Sequence, residues 1–116
     1  MVDSSMPINL DYDQLQREVR VWADGNFDTT DPLDPLLGMI EELGELCHAV
    51  LKMRQGIRGT VEEHFLAARD ALGDMEIYRA DFIGRMGWSS QEIVQDTWNQ
   101  VSKRNWKDNP LSGSPA

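Results

Sequence analysis

The chain has 116 residues, 41% of them apolar, enough for one domain with a single modest core. With 20 acidic against 11 basic residues its net charge is −9. That argues against a nucleic-acid backbone as main ligand, yet leaves room for a small phosphate compound carried with a cation. No apolar run nears the roughly 20 residues of a membrane span, and "MVDSSMPINL" has no basic-then-apolar leader. The single cysteine, Cys47, permits neither an internal disulfide nor a structural zinc site. The expectation is a soluble, cytoplasmic protein.

Strand signals are nearly absent, and helical spacing divides the chain into four segments. After an N-terminal arm over 1–10, the first helix is expected from about Asp11 to Ala23, with Leu15, Val19 and Trp22 at helical intervals. "DGNFDTTDPLDP" ends it with turn formers and two prolines. The second begins near Pro35 and carries Leu36, Met39, Ile40, Leu43, Leu46, Cys47, Val50 and Met53 before Gly56 and Gly59 stop it. Met39, Ile40, Leu43, Leu46, Cys47 and Val50 are expected to build the core. Thr60 and Glu63 form a capping box for the third, which runs to about Met86 through Phe65, Leu66, Leu72, Met75, Phe82 and Ile83. Gly87 closes it, and Ser89 or Ser90 caps a fourth holding Ile93, Val94, Trp98 and Val101. The helical domain is expected over 11–107, and "DNPLSGSPA" (108–116) reads as a polar, mobile tail.

These segments predict an all-α fold, a four-helix bundle. One short chain does not cover both faces of helices this long. Arg79, near the apolar face of the third helix, lacks an evident partner. Both features predict an oligomer.

Chemistry concentrates in acids. In "GMIEELGELCHAVLK", Glu42 and Glu45 lie three apart and share a face, and Glu41 stands further toward solvent. On the third helix Asp70 and Asp74 lie four apart, with Tyr78 one turn on and Asp81 extending the stripe. Like charges at this spacing repel by a few tenths of a kcal/mol even in an isolated helix, and two such pairs on packed helices repel more. A divalent cation offsets this: Mg²⁺ takes oxygen ligands from a few carboxylates together with substrate phosphates. Gly44 and Gly73, each beside an acid, are expected to admit a close backbone or ligand, since glycine inside a helix costs about 1 kcal/mol against alanine. Paired acids are also the ordinary dress of a solvated helix face. From residue spacing alone, both readings stay open.

"EELGEL" followed about 25 residues later by "DALGDMEIY" resembles the MazG-like, all-α nucleoside triphosphate pyrophosphohydrolases, over about Leu15 to Trp106. The resemblance implies an oligomeric four-helix bundle, a homodimer or homotetramer. Its implied activity is Mg²⁺-dependent cleavage of (d)NTPs between the α- and β-phosphates, with Mn²⁺ as the substitute metal. Matched position by position, Glu42, Glu45 and Asp74 are metal ligands and Tyr78 lies near the nucleoside. Where the family often has glutamate this chain has Ala71, and Asp70 is the substitute ligand. Glu41 or Glu42 would accept the proton of the attacking water. Lys103, Arg104 and Asn105, in "SKRNWK", match a phosphate-contacting segment, although basic residues at a helix end also simply complement its dipole. Lys52 is a further phosphate candidate, and Trp22 and Phe27 are candidates for a base-stacking wall. His48 completes one Glu-x-x-His, but a di-iron bundle needs two, and His64 has no acid three residues before it. The non-enzymatic alternative is an acidic helical interaction protein.

Overall fold

A computed structural model describes residues 11–115; the expected arm over 1–10 lies outside them. The chain is all-α, with four helices and no strand among the described residues: α1 (Tyr12–Asn26), α2 (Leu33–Gln55), α3 (Val61–Arg85) and α4 (Ser90–Val101). Side-chain caps explain most of the starts. Asp11 accepts the Gln14 amide for α1, Thr60 accepts that of Glu63 at 3.1 Å for α3, and Ser89 accepts that of Glu92 at 3.1 Å for α4. The Thr60 hydroxyl also reaches Glu63 Oε1 at 3.3 Å. Asp31 Oδ1 accepts the first α2 amide, Leu33 N, at 2.9 Å. Gly56, at φ 68°, closes α2 by donating to Lys52 and Met53 carbonyls.

α2 and α3 form a long antiparallel hairpin, α1 packs along α3, and α4 leans on the ends of α1 and α3. No Cα of α2 comes within 8 Å of α1 or α4, so a single copy leaves the bundle open. The radius of gyration, 18.0 Å, accordingly exceeds the about 13 Å of a compact domain of this length. No helix is long and apolar enough to cross a membrane among the described residues.

α1 is stitched to the α3–α4 turn. Asp13 accepts from the Ser89 hydroxyl and the Gln91 amide, while Gln16 donates to Trp88 O and accepts from Ser90 N. The Gln91 amide in particular holds the Asp13 carboxyl below its ordinary range. Arg79 finds its partners within the chain, which corrects the expectation that a second subunit must supply them. Its guanidinium donates to Ser90 Oγ at 3.0 Å and lies 5.4 Å from the Tyr12 ring centroid.

The largest difference from expectation is which residues are covered. The residues buried on α2 are Pro35, Gly38, Glu42 and Ala49, whereas Ile40, Leu43, Cys47 and Val50 are exposed. The same holds for Phe65, Leu66 and Leu72 on α3 and for Trp98 on α4. The core is made chiefly of small side chains, Ala23, Ala49, Ala71 and Ala80, with Val19 and Ile83. α2 meets α3 along a narrow strip of small residues, and its broad apolar side points away from the rest of the chain.

The C-terminal segment folds back, with Asn105 N donating to Gly113 O at 2.7 Å and Gly113 N to Asn109 O at 2.8 Å.

Candidate functional site

Because α1 and α2 both rest on α3 without touching, a cleft of about 590 Å³ opens between them, a size suited to a small-molecule ligand. One wall is aromatic: Trp22 near the end of α1 and Phe27 just beyond it meet edge to face, centroids 5.7 Å apart. Val19, Ile77 and Tyr78 make an apolar floor, while Glu42 and Asp74 bring charge to the opposite side. Tyr78 is seated by a glycine. A Cβ at Gly38 would collide with its ring, so α2 approaches the tyrosine as closely as a backbone can. The expected close approaches at Gly44 and Gly73 are not found within this chain, where an added Cβ at either meets nothing within 4 Å; Gly38 is where the backbone is approached.

The acids gather on α2. Glu41, Glu42 and Glu45 each offer an oxygen within 4.8 Å of the others. Glu42 is only 7% exposed, and its Oε2 is buried without a hydrogen-bond partner. Burial, foremost, raises its carboxyl above the ordinary 4.5, followed by repulsion from Glu45 and the charges of Asp74 and Glu41. Burial also raises the Tyr78 phenol, reinforced by Glu41, Glu42, Asp74 and Glu45. Asp74 thus belongs to the same electrostatic neighbourhood, although the 4.8 Å group does not include it. Asp70, one turn away, is exposed and stands outside that group.

The remaining sequence candidates lie elsewhere. Lys52 Nζ donates to Gln55 Oε1 at 2.9 Å and does not line the cleft. α4 ends at Val101, so Lys103, Arg104 and Asn105 fall in the turns after it. Arg104 lies 6.0 Å from the Trp106 ring centroid. Asn105 caps its own turn, accepting from the Lys107 and Asp108 amides and donating to Asp108 Oδ2. None of the three lines the cleft.

The structure also adds residues to the site. Glu18 lines the cleft from α1, and buried Asp81 lies at its far end, held by Arg85 Nε at 2.8 Å. Arg85 also donates to Thr29 O at 2.9 Å, tying the α1–α2 connection, and with it Phe27, to the end of α3. The four-residue spacing of Asp81 and Arg85 is visible in sequence, but such a pair ordinarily reads as a surface ion pair.

In comparisons with protein-family models, curated proteins and solved structures, nothing matches this chain.

Proposed function

We propose that the protein is a Mg²⁺-dependent nucleoside triphosphate pyrophosphohydrolase of the MazG-like type, releasing a (d)NMP and pyrophosphate. One observation carries the reading: Glu42 puts a buried, unpartnered carboxylate oxygen between Glu41 and Glu45 at the edge of an aromatic-walled cleft. An anion so placed asks for a cation, and a cluster of hard carboxylate oxygens suits Mg²⁺ or Mn²⁺.

The holding residues would be Glu42 and Glu45, with Asp74 across the seam on α3 and Asp70 further out. A divalent ion held there supplies charge neutralisation for the polyphosphate and activation of the attacking water. The chain supplies the rest. Trp22 and Phe27 stack the base, and the Tyr78 ring, fixed against Gly38, lies beneath the nucleoside. Glu42, whose burial raises its carboxyl above the ordinary range and so makes its carboxylate the stronger base, is suited to take the proton from water; Glu41 is the alternative base. The exposed apolar side of α2 fits a homodimer or homotetramer. The same apolar surface is what favours the second reading, a non-enzymatic helical interaction protein.

The test is a panel of canonical NTPs and dNTPs with Mg²⁺, assayed for pyrophosphate. Release from at least one, abolished by chelation, is expected. No release from any of them sinks the enzyme reading and favours the interaction protein.

A further inference from the structure

A second pocket, of about 290 Å³, lies along the α2–α3 seam toward the hairpin turn. Glu45 and His48 line it from α2, His64 from α3, and Arg58 from the turn between them. Glu45 also belongs to the carboxylate cluster, which therefore stands between two unlike spaces. Glu42 opens to the aromatic cleft and Glu45 to a pocket edged by a guanidinium and two imidazoles. Glu41, Glu45 and His48 recur at i, i+4 and i+7, one stripe of α2.

The turn that presents Arg58 is unusual. Gly56, Arg58 and Gly59 have φ of 68°, 62° and 140°, and Arg58 is the only non-glycine at positive φ among the described residues. A left-handed conformation brings the Cβ of an ordinary L-residue against its carbonyl, a strain that glycine would avoid. The turn is nevertheless well held. Buried His64 places Nε2 2.9 Å from Ile57 O, and the Thr60–Glu63 box anchors its end. A strained residue kept in a firmly supported turn points to a task for its side chain.

We infer that this pocket receives the terminal phosphates of the substrate, with Arg58 as the principal contact and His48 as the second; the inference rests on the hydrolase reading. It gives the substrate a direction: base against the Trp22–Phe27 wall, α-phosphate at the carboxylates, β- and γ-phosphates at Arg58. From Glu42 to His48 the helix advances about 9 Å, the scale of an extended triphosphate. The bond beside the carboxylates is then the α–β anhydride. Water's oxygen joins the α-phosphorus, the bridging oxygen leaves with the β-phosphate, a proton is released, and pyrophosphate is the fragment left against Arg58. A guanidinium suits it, since its donor fork matches two phosphate oxygens.

The experiment is calorimetric titration of the full chain with pyrophosphate and Mg²⁺, for wild type, Arg58→Gly and Arg58→Lys. Arg58→Gly removes the guanidinium and relieves the backbone, so it folds. It is expected to weaken pyrophosphate binding about tenfold or more, the loss of a charge-assisted contact. Arg58→Lys recovers part of this, and nucleoside monophosphate binding is unchanged in both variants. Equal pyrophosphate affinity in wild type and Arg58→Gly overturns the inference, as does an absence of saturable pyrophosphate binding to wild type. Failure of the hydrolase reading registers separately, as no pyrophosphate release from any nucleotide, because the titration requires no turnover.

Discussion

On the side of α2 that turns to the cleft, three carboxylates crowd within 4.8 Å and one buried oxygen has no partner. On the opposite side Leu36, Ile40, Leu43 and Val50 stand 38%, 60%, 48% and 39% exposed. Neither side is fully partnered within this chain, in opposite chemical senses. Concentrated negative charge calls for a cation, and contiguous apolar surface calls for another apolar surface. The narrow strip that this chain covers itself, Pro35, Gly38, Glu42 and Ala49, lies on the acid side. A helix with one strongly apolar face has thus turned that face away from its own fold.

The sharpest way to test the acid side is Glu42→Gln. It is expected to lower kcat/KM for nucleotide hydrolysis by about 10²–10⁴, the range for loss of a general base; undiminished turnover breaks the assignment. The same variant has a stability signature. The folded carboxyl titrates above 4.5, so between that value and its raised folded value the native state binds more protons than the unfolded chain. Stability from this group is therefore fully present at low pH and is lost as pH rises through that window. With chelator present, wild type should show this decline in its urea midpoint, Glu42→Gln should not, and Mg²⁺ should reverse it.

The apolar side is probed by Ile40→Glu. Each aliphatic side chain covered by a partner contributes about 1.5–3 kcal/mol, so wild type is expected to sediment as an oligomer and the variant as a folded monomer. An unchanged sedimentation coefficient would mean that this face is not the interface. For the covered strip on the acid side, Gly38→Ala drives a methyl into the Tyr78 ring. The expected cost is about 1–3 kcal/mol, read from the denaturant midpoint. The smallest effect has the opposite sign. Gly73→Ala, whose new methyl meets nothing within 4 Å, should stabilise the chain by up to about 1 kcal/mol.

Helices and their caps were legible because they depend on neighbours in sequence. The Thr60–Glu63 box, the Ser89 cap and the Gly56 stop stand where expected, while α1 reaches Asn26 past Gly25, α2 begins at Leu33 ahead of Pro35, and α4 ends at Val101 before Lys103. The acids on α2 were legible for the same reason, since one turn of helix fixes their mutual distance. Covering was not. Periodicity identifies an apolar side without saying what covers it, so Ile40, Leu43, Cys47 and Val50, expected in the core, stand exposed in this chain. Contacts between helices were equally hidden. Nothing in local sequence links Gly38 to Tyr78, Arg85 to Thr29, or Arg79 to Tyr12.

Cys47 is exposed and lies seven positions after Ile40, which places both on one side of α2. As the chain's single cysteine, it makes that side chemically addressable without any engineering. Its alkylation rate in wild-type protein is a direct reading of whether that helical flank is open to solvent or occluded, and the dependence of the rate on protein concentration would separate self-association from a fixed cover.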